Sequence, residues 1–270
     1  MRFQDVRMPL ATLVAGVILA FGCSTEELAP GQEVPPETKA QLEALGFSTS
    51  QITTFEELDP LLGKRSGYLV EGDLKFTDEM LEAMVADAAQ AQIQGEQYFH
   101  GTLVTGTPRT LKVLGYTGAG AALTGNAPTA LQQAVAQYNA LGLTLRFNLS
   151  FGVDTAAADI VVYNSIYGSG IGFPSGGDPH KWIAIYLGSS NPPVADIEYV
   201  MIHEMGHAIG MRHTDWMDPS PCGYRPSINP YHIPGTPTGI DPNSIFRACV
   251  IASNPPQFSY YDEVALHYLY

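Results

Sequence analysis

Three histidines and a glutamate within eleven residues carry the reactive chemistry of this chain: His203-Glu204-Met205-Gly206-His207-Ala208-Ile209-Gly210-Met211-Arg212-His213. On a helix, residues four apart lie on one face about 6 Å apart along the axis, so His203 and His207 can share one metal ion. Glu204 is rotated by about 100° from the first histidine, which aims its carboxylate at an attacking water and away from the metal. Gly210 can take a positive φ, end the helix and turn the chain sharply, returning His213 as a third imidazole. Three neutral nitrogens leave the fourth coordination position open, as in a catalytic zinc site and unlike a closed structural one. With average residue usage, such a five-position match arises by chance about once in 10⁵ chains of this length.

A helix bearing these ligands must be held against a sheet, and the pattern from about Arg109 onward supplies one. Leu111 to Tyr116 reads as a strand, and Pro128 starts a helix to about Leu141 with Leu131, Ala134, Val135 and Tyr138 on its inner face. Leu143 to Ser150 alternates as a strand; Asp159 to Tyr163 and Lys181 to Leu187 are two more. Pro192 and Pro193 then lead into the histidine helix. Ahead of this block, Glu37 to Leu45 is a short helix ending at Gly46, and Gln51 to Leu62 another short element. Tyr68 to Phe76 is extended with a break at Gly72-Asp73, and Thr77 caps a helix with Met80, Leu81, Met84, Val85 and Ala88 on its apolar face. Residues 37–105 thus form a propeptide-like or accessory region before a catalytic domain at 106–270.

The chain ends and composition bound the setting. Arg2 and Arg7 precede an apolar run from Met8 to Phe21, too short for a membrane span and suited to a signal peptide over residues 1–22. Ala20-Phe21-Gly22-Cys23 has the form of a bacterial lipobox, with Cys23 lipidated and residues 23–36 a Pro-rich tether. The expected location is extracytoplasmic: a bacterial membrane-anchored lipoprotein at the outer membrane or cell surface, or a secreted protein. Membrane contact is then through the lipid anchor only. A formal charge of -14 argues against nucleic acid as a partner. In an oxidising compartment, Cys222 and Cys249 are a natural disulfide pair. His100, His180, His232 and His267 lack ligand spacing and read as surface or core-edge residues.

The long histidine motif resembles that of the metzincin metalloproteases at every fixed position. His213-Thr214-Asp215-Trp216, Ile233 to Thr238 and Asp241-Pro242-Asn243-Ser244 narrow the resemblance to the dual-action HEIGH metallopeptidases, with Met205 in place of the isoleucine of that name. The likeness covers most of residues 65 to 270. It implies an α+β fold, the metzincin-like zincin domain: a twisted mixed sheet, two main helices including the zinc helix, a loop-rich C-terminal subdomain and a closing helix. It also implies Zn2+ as cofactor and a protein or peptide substrate. Metzincins place a methionine in a tight turn under the zinc within a Ser-x-Met run. Here Ser244-Ile245-Phe246 stands there, with Phe246 as an apolar floor, while Met217 follows His213 too closely for the usual excursion. Asp215 either accepts the free N–H of a zinc histidine or caps the turn.

The mechanism these residues imply is metal-assisted peptide hydrolysis with Glu204 as general base, Tyr224 or Tyr231 as a second carbonyl-stabilising donor, and an extended substrate paired to an edge strand near Gly170 to Pro174. A zinc amidase or esterase on a non-protein substrate, and an idle surface binding lipoprotein, are the competing readings. Astacin-like relatives silence the metal with an aspartate in a Phe-x-Gly-Asp run, which Val70-Glu71-Gly72-Asp73 resembles apart from Val70. The preferred expectation for Gly72-Asp73 is a plain turn with Asp73 in solvent; the alternative is Asp73 on the metal.

Overall fold

In the computed structural model, residues 33–90, 102–188, 191–215, 232–248 and 256–270 are described. The expected signal peptide, Cys23, Met217, Cys222, Tyr224, Tyr231 and Cys249 lie outside them.

The N-terminal region is a small layer of its own. Pro36 opens α1 (Pro36–Ala44), and Gly46 at φ +80 closes it, with Phe47 N–H donating to Leu42 O at 2.9 Å. The core already takes in Val34, inside the stretch read as tether. The element expected at 51–62 is a strand, β1 (Thr53–Asp59), which pairs antiparallel with β2 (Gly63–Val70). The turn Glu71-Gly72-Asp73 then carries the chain into β3 (Leu74–Phe76) on the other side of β2. Thr77 starts α2 (Asp78–Gln90), its hydroxyl accepting Met80 N–H at 3.4 Å.

The region from Arg109 onward is built as its apolar periodicity implies. β4 (Arg109–Tyr116), β5 (Leu145–Gly152), β6 (Ile160–Asn164) and β7 (Trp182–Ile185) form a parallel sheet in the order β5-β4-β6-β7. Leu111, Val113, Ile160, Val162, Ile183 and Ile185 are almost wholly buried. Against the sheet lie α3 (Ala127–Ala140) and α4 (Val194–Ala208), locked together where Tyr138 Oη donates to Ile202 O at 2.8 Å. The expected mixed sheet is parallel in its four strands, and its antiparallel component is one bridge, Gly170 to Ala184, beside β7. The closing helix α5 (Tyr260–Leu269) begins with a Ser259/Asp262 capping box. The architecture is therefore α+β, as the sequence implies.

The two regions share one core. Phe47 and Phe76 of the N-terminal layer meet Phe173 with ring centroids 5.6 and 6.2 Å away. Asp87 of α2 accepts from Ser175 Oγ at 2.9 Å and Gly176 N at 3.1 Å. His180 lies at this seam, with its backbone N–H on Ala208 O at the end of α4. Burial and the nearby Arg65 guanidinium lower its pKa to about 4. Between pH about 6.5 and 4 the folded chain therefore binds fewer protons here than the unfolded chain, so stability falls as acid is added across that window. A His180→Gln variant should lose ~1–3 kcal/mol of this acid sensitivity. Denaturant midpoints of parent and variant, compared from pH 7 to pH 4, check it.

Candidate metal centre

The helix α4 presents His203, Glu204 and His207 almost fully buried at the seam between the sheet and the N-terminal layer. Gly210 ends it at φ +111, with Gly210 N–H on His207 O and Met211 N–H on Gly206 O, both at 2.9 Å. A Cβ at Gly210 would meet Leu103 Cδ2 and Thr102 O at 2.9 Å, so the turn has two reasons to need glycine. Tyr270, the last residue, donates its hydroxyl to Ile209 O and pins this corner. The turn returns His213 to the other two ligands, as its spacing implies.

The imidazoles converge through their Nε2 atoms: His203 to His207 is 2.9 Å, His207 to His213 3.2 Å and His213 to His203 3.3 Å. Each outer nitrogen faces an acceptor: His203 Nδ1 faces Ile245 O at 2.8 Å, His207 Nδ1 Met211 O at 2.7 Å, and His213 Nδ1 Glu71 Oε2 at 3.2 Å. Carbonyls and an ionised carboxylate only accept, so the protons of the neutral rings sit on Nδ1. Three Nε2 lone pairs then point at one another, an arrangement that calls for a cation between them. An edge of about 3.3 Å is that of a tetrahedron with metal–nitrogen bonds of 2.0–2.1 Å, so the residues fit a metal ion.

The fourth corner is the correction to the sequence reading. Asp73 does follow a turn, but its carboxylate points inward, with Oδ2 3.1 Å from His203 Nε2, 3.0 Å from His213 Nε2 and 3.8 Å from His207 Nε2. Asp73, His203, His207 and His213 together are a group able to hold one metal ion. A solvated Asp73 was expected because a Gly-Asp pair is a strong turn signal; the turn exists and serves to aim the side chain. Charge holds the carboxylate among the rings. Burial opposes ionisation of Asp73, yet His213 and the two other imidazoles close about its carboxylate hold it well below the usual carboxylate range. Conversely, burial lowers the His213 pKa, but Asp73 and Glu71 on either side outweigh it and raise it to about 10.

Glu204 is 2 % exposed and its Oε2 has no hydrogen-bond partner among the described residues. Burial, and then the Asp73 charge, push its carboxyl well above the ordinary range. An unpartnered buried carboxylate is costly unless the site uses it, and proton transfer is such a use.

The floor beneath the ligands is built from the closing helix. Asp262, the third helical residue of α5 and partner of Ser259 in its capping box, accepts from Ser244 Oγ at 2.6 Å and Ile245 N at 2.9 Å, and Ile245 O in turn faces His203 Nδ1. Phe246 is fully buried, its ring centroid 6.4 Å from that of His203. A Cβ on Gly206 would come within 2.1 Å of Phe246 Cε1. Gly206→Ala should therefore destabilise the fold by ~1–3 kcal/mol through overpacking, read as a lower urea midpoint. Asp215 lies elsewhere: its Oδ1 accepts Ala248 N at 2.8 Å and its Oδ2 is 3.4 Å from Arg247 Nε. The carboxylate on a ligand's outer nitrogen is Glu71, which sequence reasoning did not single out. The pair of acids flanking Gly72 was the available signal.

The edge expected to take a substrate is also filled by the chain itself. Lys75 N–H donates to Ile171 O at 3.0 Å and Ile171 N–H to Asp73 O at 3.2 Å, while Gly170 bridges Ala184 on the sheet side. The turn before β3 and its first residues thus lie across the metal-facing edge.

Two histidines on one helix, a third returned by the turn after it and an aspartate from the N-terminal layer thus form a group able to hold a metal ion. Beside a buried glutamate of the same helix in an α+β fold, that is the constellation of a metal-dependent hydrolase. The family model of the dual-action HEIGH metallo-peptidases matches residues 68–270, which makes it a metallopeptidase, and the chain belongs to that family. The match includes Glu71, Gly72 and Asp73. Two solved structures of myroilysin align with the chain at 15% and 16% identity, with TM-scores of 0.42 and 0.41, each covering 73% of this chain and 98% of the other. No curated protein matches the chain.

Proposed function

We propose that the chain is a zinc-dependent endopeptidase, seen with its own N-terminal segment closed over the metal centre. The observation that carries this reading is the convergence of three imidazole Nε2 atoms within 3.3 Å of one another on the helix that bears Glu204. A zinc ion held there supplies Lewis-acid polarisation of a scissile carbonyl and lowers the pKa of water. Glu204 takes the proton of the attacking water and passes it to the departing amine nitrogen, which its buried position favours because the neutral and charged forms are brought closer in energy. Ile171 binds the substrate backbone by strand addition once Asp73 to Lys75 withdraw, while Gly170 keeps its bonds to Ala184. Asp73 must leave the fourth corner for a carbonyl to approach, so the closed form is latent. Its place in the cell is extracytoplasmic, by the reading of the leader and Cys23 given above.

Digestion of a peptide library by the full chain, with and without a zinc chelator, tests the reading. The expected result is chelator-sensitive cleavage of internal peptide bonds, increased when the N-terminal segment is displaced. Cleavage confined to non-peptide amides or esters, or zinc binding with no hydrolysis in any form, would overturn it.

A further inference from the structure

The three metal ligands are not oriented by the same part of the molecule. His203 and His207 have their outer nitrogens on Ile245 O and Met211 O, carbonyls of the region from Arg109 onward. His213 alone faces a side chain from the N-terminal layer, Glu71. The carboxylate is 3 % exposed and fully engaged: Oε1 accepts Ser48 N–H at 2.9 Å and Arg212 Nη2 at 3.0 Å, leaving Oε2 for the imidazole. Arg212 immediately precedes the ligand in sequence and is 1 % exposed. Its remaining contacts are again N-terminal: Gly46 O at 2.9 Å, Leu45 O at 3.4 Å, and the Phe47 ring, whose centroid is 3.9 Å from the guanidinium carbon.

Backbone conformation explains how one short segment reaches both sides of one ring. Glu71 has φ +52 and Gly72 φ +90, so two consecutive left-handed residues fold the chain back. A left-handed non-glycine residue is strained and persists only where its surroundings hold it. Here Glu71 meets His213 Nδ1 while Asp73, two residues on, meets its Nε2.

We infer that Glu71 is a positioning residue for the third metal ligand, and that metal affinity is thereby coupled to docking of the N-terminal layer. The inference rests on the zinc reading of the three histidines. Glu71 holds the Nδ1 proton of His213, which fixes the tautomer with the Nε2 lone pair toward the metal and makes the ring a stronger donor. Arg212 balances the carboxylate charge and ties it to residues 45–48. Coupling of this kind is reciprocal: the docked layer strengthens metal binding, and bound metal strengthens docking. Release of residues 33–90 would therefore do more than free the fourth corner. It would leave His213 to find a new partner for its outer nitrogen, and the catalytic form would hold its metal less tightly.

The test uses the full chain carrying Glu204→Gln, which cannot digest itself. Zinc affinity is measured by competition with a chromophoric chelator, and the visible spectrum is recorded with cobalt(II) in place of zinc. Glu71→Gln keeps the volume but offers one acceptor oxygen to three donors. It is expected to lower zinc affinity by about 10–100-fold and to alter the cobalt bands. Glu57→Gln is the control: it removes one charge of the buried Lys75–Glu57 ion pair of 2.7 Å in the same layer, a pair whose other contacts are Arg65, Tyr167 O and the Phe55 ring. It should lower the melting temperature and leave zinc affinity and cobalt bands unchanged. A parent that binds zinc, with Glu71→Gln equal to it in affinity and spectrum, overturns this inference alone. Loss of affinity in both variants to the same degree overturns it too, as general loosening of the layer. A parent that binds no zinc sinks the zinc reading, and the inference with it.

Discussion

Glu204→Gln is expected to lower peptide hydrolysis by about 10²–10⁴-fold while leaving one metal ion per chain, because the amide keeps the size of the side chain and removes its basicity. The glutamate is on the ligand helix, but the four corners of the metal group are His203, His207, His213 and Asp73. A carboxylate with an unpartnered buried oxygen contributes nothing evident to the fold, so its replacement should not lower stability. Initial rates on a fluorogenic peptide, with metal content by mass spectrometry, check both halves. Loss of metal together with activity would show that Glu204 is structural and that the proton-transfer role is wrong.

Asp73→Ala should act in the opposite direction, raising hydrolysis by the uncut full chain by something on the order of 10²-fold. That is the gain expected where the open form is only ~1% populated and the substitution makes it dominant. The carboxylate occupies the fourth corner and is also the largest cause, after burial, of the raised Glu204 pKa. Alanine removes both effects and leaves the backbone bonds of Asp73 and Lys75 to Ile171 in place, so any remaining latency measures the strand pairing alone. Steady-state rates of the intact variant and parent, with chain length verified by mass spectrometry, decide it. An Asp73→Ala chain no faster than the unprocessed parent would mean that the carboxylate is not what silences the site.

Much of this site could be read before any coordinates, for identifiable reasons. His203, His207, Gly210 and His213 are fixed by helical period and by one glycine-dependent turn, which are local rules, and the structure brings all three rings to one point. The order strand, helix, three strands, ligand helix follows equally from apolar alternation and from Pro128 and Pro193 at helix starts. What sequence could not locate depends on contacts between residues far apart in the chain. Glu71 lies 142 residues from His213, and no periodicity connects them. Asp215 was the nearer carboxylate in sequence, but its backbone turn sends it to Ala248 and Arg247. Asp73 was legible as a turn residue; that the turn faces the metal depends on how β3 docks on Ile171. The pairing of Val70 with Leu74 around this turn, and the hairpin of β1 and β2, were likewise hidden in a short, charged, irregular stretch.

The central claim is that three histidines and one aspartate of the intact chain surround a single zinc ion. X-ray absorption at the zinc edge of the full-length, zinc-loaded Glu204→Gln protein tests it most directly. The account predicts three imidazole nitrogens and one carboxylate oxygen at about 2.0–2.2 Å, with the carboxylate contribution absent from the same protein carrying Asp73→Ala. A first shell with fewer than three imidazoles, or one that Asp73→Ala leaves unchanged, would contradict it.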